Sequence, residues 1–139
     1  MRGVVSGLVA GTSRMAVVDL EAGLEHLSRG TARHVDTLLI VGEPYFKSLE
    51  TARRSFALAR DLGIGHVRMV GNKIRTPRDE ESVREFAARH ELSLAGTVPY
   101  DEAVLEADRR GVALIEHRPE APSVVAIRRL ADEMLATVA

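Results

Sequence analysis

The feature that most constrains the fold is the run Thr37–Gly42, which is apolar at every position after its first residue. Continuous apolarity, as opposed to alternation, is typical of a strand covered on both faces, as in parallel sheets. Less continuous apolar runs predict further strands at residues 15–19, 66–71 and 92–98. With helical segments between them, these runs predict an α/β fold: a parallel sheet of about four strands with helices on its faces.

Helix signals separate the predicted strands. Apolar residues recur at helical spacing between residues 49 and 62, again after residue 82, and again after residue 123. Polar residues that cap helix starts, and glycines that end helices, stand beside these segments. The first predicted helices are a short one at 4–9, a second from Ser48 to Gly63 and a third opened by the capping box Thr76–Asp79. A fourth helix is predicted from Asp101 to Gly111, and a last one from Pro122. A surface loop is predicted at 117–122.

Composition excludes several classes of protein. The 139 residues suit a single domain, or part of one, and the net charge of −1 provides no basic surface for nucleic acid. The absence of cysteine excludes disulfides and thiolate metal sites within the chain, and fits a reducing compartment. No apolar stretch reaches the ~18 residues of a membrane span. We therefore expect a cytoplasmic protein that binds neither nucleic acid nor membrane.

The segment after the first predicted strand carries the most informative residues, at positions 19–31 (DLEAGLEHLSRGT). Ligands collect at the carboxyl ends of parallel strands, which is where Asp19 would lie. Asp19 could there hold a metal-bound water, and Gly23, which has no Cβ, could let the backbone approach a phosphate. The same residues also fit a plain helix N-terminus rich in acidic side chains.

This segment resembles the switch region of the MinD/ParA group of deviant P-loop ATPases, especially the nickel-handling, CooC-like branch that matures carbon monoxide dehydrogenase. The resemblance continues in Glu43-Pro44, Ser48, Asn72-Lys73 and residues 98–101. It implies a P-loop NTPase fold with ATP and Mg²⁺ as cofactors. It also implies an ATP-dependent homodimer and a client metalloenzyme that receives nickel.

The resemblance assigns catalytic roles to two residues. Asp19 matches the switch aspartate that orients water around magnesium, and Gly23 matches the glycine near the γ-phosphate. A solvated carboxylate at a strand end and an ordinary turn glycine are the simpler alternatives. Glu25 and His26 are adjacent and would point in different directions on a helix, so no metal site is predicted from them. We expect them at a dimer or partner surface, and the other histidines at the protein surface.

The resemblance places the adenine base between two loops. The amide of Asn72 would read the base, because it both donates and accepts hydrogen bonds, and the stem of Lys73 would lie against the ring. The backbone of Pro99, Tyr100 and Asp101 would close the other side of the pocket. Each loop also has a simpler interpretation, with Asn72 as a turn residue and Asp101 as a helix cap.

A phosphate-binding motif is missing from this sequence. ATP hydrolysis in this family requires G-x-x-x-x-G-K-[ST], and no such motif occurs in the chain. In the family that loop lies well upstream of the switch segment, whereas only 18 residues precede Asp19 here. We therefore expect the C-terminal part of a P-loop ATPase domain without the P-loop strand, as a truncation, an internal start or a split protein. Such a chain would be inactive alone, and the alternative is a non-catalytic α/β module that binds a partner.

Overall fold

The computed structural model describes residues 16–20 and 34–138, with side chains up to residue 136. Within these ranges three strands alternate with helices, and three helices in succession follow the last strand. The strands are β1 (Thr37–Gly42), β2 (His66–Ile74) and β3 (Leu94–Pro99), and the helices are α1 (Phe46–Asp61), α2 (Pro77–Arg89), α3 (Glu102–Arg110), α4 (Leu114–His117) and α5 (Pro122–Val138).

The three strands form one parallel sheet in the order β1-β2-β3. The β1–β2 register runs from Thr37 opposite His66 to Gly42 opposite Gly71. Neighbouring parallel strands require a crossover connection, and α1 and α2 provide the two crossovers. The predicted α/β class with a parallel sheet is confirmed.

The predicted strand at residues 15–19 is wrong for the residues that the structure describes. Residues 16–20 carry no strand pairing, and the side chains of Val17 and Val18 are 89% and 46% exposed. A strand forms only where a neighbouring strand accepts its backbone hydrogen bonds, and β1 pairs with β2 alone among the described residues. The sheet therefore has three strands in the described ranges, instead of about four.

The other strand bounds move by a few residues for local reasons. Leu92 was predicted to open the last strand, but its N–H donates to the carbonyl of Ala87 and closes the end of α2. The strand therefore starts at Leu94. At the other end the N–H of Tyr100 donates to the carbonyl of Ile74, which extends β2 three residues past its predicted end at Gly71.

The two faces of the sheet are covered by different helices. Helices α1 and α2 pack on one face around Met69, which is fully buried in the central strand. Helix α5 packs on the other face over β2 and β3, where Leu130 packs against the buried cluster of Val70, Ala95 and Val98. On that face the β1 side chains Leu39 and Val41 stay 40% and 60% exposed. Among the described residues β1 is thus covered on one face, although its continuous apolarity predicted cover on both.

Most predicted helix ends are confirmed. Thr76 and Asp79 form the complete capping box of α2. Gly63 and Gly111 follow their helices with φ angles of +82° and +65°, a backbone conformation that glycine adopts without strain. Ser48 is not the cap of α1, because the helix begins earlier, at Phe46, and Tyr45 stands in the cap position.

The predicted surface loop at 117–122 begins inside a helix, because His117 ends α4. The His117 side chain is only 13% exposed, and its Nε2 lies 3.5 Å from an oxygen of Glu106. The prediction of a surface position is therefore wrong for His117, whereas His34, His66 and His90 are exposed. In the part of the chain that is described, no helix is long and apolar enough to cross a membrane.

Candidate functional site

The residues that follow the three strands meet at the carboxyl edge of the sheet. Glu43 follows β1, and Tyr100 follows β3. Asn72 and Lys73 lie near the end of β2, just before its last residue. Parallel pairing brings these ends together, since Gly42 is opposite Gly71 and Ile74 is opposite Pro99. Ligands of open α/β sheets bind outside this edge, so we regard it as the candidate site.

A β-bulge sets the conformation of the central strand at this edge. Between the pairs Gly71–Thr97 and Ile74–Pro99, β2 has two intervening residues where β3 has one. The extra residue bends the strand, and Lys73 adopts a left-handed φ of +57°. Such a backbone is costly for a residue with a side chain and is found most often where a binding site needs it.

An ion pair joins the ends of β1 and β2. The Lys73 ammonium donates to a Glu43 carboxylate oxygen at 2.8 Å. The hydrogen bond and charge of Glu43 raise the pKa of Lys73 above its usual value, with smaller contributions from Tyr45 and Tyr100. Both partners are partly exposed, so the pair orients Lys73 more than it stabilises the fold.

Two short contacts hold the polar groups around this ion pair. The Asn72 side-chain oxygen accepts from the N–H of Lys73 at 2.9 Å, which directs the amide along the edge. The N–H of Glu43 donates to the hydroxyl of Ser48, also at 2.9 Å. Ser48 therefore positions the residue after β1, in place of the helix-capping role predicted for it.

The loop after β3 carries a stacked pair of side chains. The Arg75 guanidinium lies over the Tyr100 ring, with its central carbon 3.4 Å from the ring centroid. Pro99 ends β3, and the N–H of Tyr100 donates a hydrogen bond to the carbonyl of Ile74. The backbone N–H of Tyr100 is therefore used within the sheet, which leaves side chains and carbonyls to face a ligand.

Asp101 is held by two helices at once. One carboxylate oxygen accepts from the N–H of Ala103 in α3, and the other accepts from the N–H and hydroxyl of Ser123 in α5. Burial opposes ionisation of Asp101, but the N–H groups of Ala103 and Ser123 and the Ser123 hydroxyl hold its pKa below the usual value. The predicted cap is confirmed, and the carboxylate joins α3 to α5 beneath the candidate site.

Of the two predicted catalytic residues, the structure describes only Asp19. Asp19 is described and exposed, and the next residue, Leu20, packs against the core formed with α1 and α2. Gly23, Glu25 and His26 lie outside the described residues. Within the described ranges no group of three His, Cys, Asp or Glu side chains could hold a metal ion.

Open concavities lie at both edges of the sheet. One of about 490 Å³ lies at the opposite, amino-terminal edge, where Ile64 and Ser93 precede their strands. The other, of about 410 Å³, lies at the carboxyl ends of β2 and β3, where it is lined by Ile74, Pro99 and Arg129.

Reasoning from the sequence missed two residues of the site, Glu43 and Arg75. Glu43 was noted only as part of the resemblance, although an acidic residue directly after a buried strand is itself a signal of an edge site. Arg75 had no signal in the sequence, because its partner Tyr100 is brought to it only by the pairing of β2 with β3.

Comparisons with known proteins place these features in a family. No protein-family model matches the chain. It is 40% identical over 103 residues to the carbon monoxide dehydrogenase accessory protein CooC of Rhodospirillum rubrum, which covers 74% of this chain and 38% of CooC. It is also 40% identical over 113 residues to an uncharacterised ATP-binding protein of Methanocaldococcus jannaschii, which covers 80% of this chain and 43% of that protein.

Solved structures show the same fold. The MinC:MinD cell division complex of Aquifex aeolicus matches with a TM-score of 0.68 and 19% identity, over 83% of this chain and 48% of the matched chain. MinD of Pyrococcus horikoshii, solved with Mg-ADP, matches with a TM-score of 0.62 and 20% identity, over 76% and 44% of the two chains. The chain spans about two fifths of the length of the two curated relatives. In sequence and in fold, it belongs to the MinD/ParA type of P-loop ATPases and is related to CooC.

Proposed function

We propose that this chain forms the base-binding part of a MinD/CooC-type ATPase, and that the carboxyl edge of its sheet holds the adenine of ATP. The observation that carries the proposal is the meeting of Asn72, Lys73 and Tyr100 at one sheet edge, in a chain 40% identical to CooC. One further relative is named as ATP-binding, and one matched MinD structure is a complex with Mg-ADP.

The side chains at this edge fit an adenine. The Asn72 amide is half-buried beside a bulge, so it has a defined position and still reaches solvent. Its oxygen accepts from the N–H of Lys73, and its amino group remains a donor for a ring nitrogen of the base. The Lys73 stem, turned by the left-handed backbone and held by Glu43, would lie against the ring of the base.

The magnesium and phosphate side of the reaction depends on residues beyond this edge. When bound, ATP with Mg²⁺ supplies the phosphoryl group that hydrolysis removes. Asp19 is the residue of this chain that we propose acts there, by orienting water around the metal, and Gly23 would allow close approach of the γ-phosphate. In the complete protein the Ser/Thr hydroxyl of the P-loop would also hold Mg²⁺.

For the complete protein we propose the cycle of the CooC branch. ATP would bridge two subunits, hydrolysis would separate them, and the cycle would drive nickel insertion into a client metalloenzyme such as carbon monoxide dehydrogenase. The 40% identity to a carbon monoxide dehydrogenase accessory protein supports this choice of client class. In the same proposal the chain is the C-terminal part of one P-loop domain, and it acts in the cytoplasm, where ATP is available.

Replacing Asn72 is the direct test of where the base lies. In a chimera that places this chain after the P-loop region of a family member, Asn72→Ala should weaken ATP binding by roughly 2- to 12-fold. A neutral hydrogen bond contributes about 0.5–1.5 kcal/mol net, and the base would keep its stacking and backbone contacts. Titration with a fluorescent ATP analogue measures the change.

Asp19→Ala in the same chimera is the matched control. It should leave ATP affinity unchanged and lower turnover, because its carboxylate is proposed to act on the water shell of magnesium and not on the base. If Asn72→Ala leaves the affinities for ATP and GTP unchanged, Asn72 is only a turn residue and the base lies elsewhere.

The chain by itself should hydrolyse no ATP. It has no G-x-x-x-x-G-K-[ST] loop to surround the phosphates, and losing even one preorganised donor typically costs about 2.7–4 kcal/mol of barrier. A phosphate-release assay with and without Mg²⁺ measures this. Magnesium-dependent turnover by the purified chain, abolished by Asp19→Ala, would overturn the expectation.

A further inference from the structure

The stacked pair of Arg75 and Tyr100 is the feature of this edge that neither the resemblance nor the comparisons explain. Arg75 follows β2 and Tyr100 follows β3, and the guanidinium carbon lies 3.4 Å above the ring centroid. Parallel pairing places them together, because the carbonyl of Ile74 accepts from the N–H of Tyr100. The pair thus bridges the two loops that are proposed to enclose the adenine.

One face of the Arg75 guanidinium remains available. The Tyr100 ring covers the other face, and the residue as a whole is exposed. Among the described residues Arg75 forms no salt bridge. The backbone N–H groups of Arg75 and Thr76 donate to Asp79 and lower its pKa, and the charge of Arg75 adds to this effect without a direct pairing of the two side chains.

A guanidinium plane held flat on an aromatic ring is a ready surface for a nucleobase. Arginine stacks through its planar group on one ring and can carry a second ring on its opposite face, as in the recognition of unstacked bases. A lysine at the same position would keep the charge but offer no plane. The Tyr100 ring also orders the Arg75 side chain before a ligand binds, so binding costs less conformational entropy.

We propose that Arg75, supported by Tyr100, is the stacking platform for the purine ring, and that Asn72 reads the edge of the same ring. This inference rests on the proposed adenine site and adds a determinant of base selectivity to it. A purine, with two fused rings, covers more of the guanidinium plane than a pyrimidine does. The platform should therefore favour purine over pyrimidine nucleosides. Asn72 should distinguish adenine from guanine.

The test is a titration of the purified 139-residue chain with adenosine, with cytidine and with tripolyphosphate. Binding is monitored through NMR chemical shifts. Arg75→Ala and Arg75→Lys should both weaken adenosine binding three- to tenfold and reduce the preference for adenosine over cytidine. Neither change should alter the response to tripolyphosphate. Tyr100→Leu should have the same effect as Arg75→Ala, whereas Tyr100→Phe should have none, because it keeps the ring.

Matched variants separate this inference from the site on which it rests. Arg78→Ala removes the same charge from a nearby exposed position with no aromatic partner and should leave adenosine binding unchanged. If Arg75→Lys binds adenosine like the unaltered chain, or if tripolyphosphate binding falls with Arg75→Ala, Arg75 acts by charge and the stacking role is wrong. If Asn72→Ala weakens adenosine binding and the Arg75 variants do not, the adenine site stands without the platform. If the unaltered chain binds no adenosine, both proposals are contradicted for this chain.

Discussion

Gly71→Val should lower the free energy of unfolding by about 1–3 kcal/mol, the usual cost of overpacking a core. A Cβ at Gly71 would lie 2.9 Å from Cγ1 of Val83 and 3.2 Å from Cγ2 of Thr97. Val83 is fully buried, so its methyl group cannot move aside cheaply. Because Asn72 follows directly, the variant should also weaken adenosine binding. Urea denaturation monitored by circular dichroism measures the loss.

Two further variants give this prediction its controls. Gly65→Ala should change stability by no more than about 0.5 kcal/mol, because a Cβ there meets no atom within 4 Å. Gly71→Ala combined with Val83→Ala should cost less than the sum of the two single changes, since removing the Val83 methyl groups makes the room that the new Cβ needs. An unchanged urea midpoint for Gly71→Val would show that the central strand is packed less tightly than described.

Asp101→Ala should destabilise the chain by about 2–3 kcal/mol, because it removes charged hydrogen bonds to two helix starts. The N–H groups of Ala103 and Ser123 and the hydroxyl of Ser123 would all lose their acceptor. Ser123 is only 3% exposed, so water cannot readily replace the carboxylate. Thermal and urea unfolding of the two proteins measure the difference.

The stabilisation that the Asp101 carboxylate provides should decrease as the pH falls. Its pKa is lower in the folded chain than in the unfolded chain, so the carboxylate contributes its full stabilisation above the unfolded value of about 3.9. That contribution is lost as the pH falls below about 4 and through the lowered folded pKa. The gap in stability between Asp101→Asn and the unaltered chain should therefore be large at pH 7 and narrow at pH 3. A gap that is constant over this range would mean that the charge of Asp101 contributes nothing.

Much of the architecture follows from local signals in the sequence. The continuous apolar run of β1 has the bounds that its composition predicts, and the capping box of α2 and the glycine after α3 stand where the sequence places them. These features depend on the residue itself and on neighbours within one helical turn. The order of apolar runs also places Asn72 and Tyr100 near strand ends, although β2 continues past Asn72 to Ile74.

The site itself was decided by contacts between residues far apart in the chain. Glu43 and Lys73 are 30 positions apart, and Asp101 and Ser123 are 22 apart, so neither pair follows from a local pattern. The bulge at Lys73 and the stacking of Arg75 on Tyr100 arise only when β2 pairs with β3. The same reason explains the failed strand prediction at residues 15–19. An apolar run determines what a segment can bury, but its conformation depends on which neighbouring strand is present to pair with it.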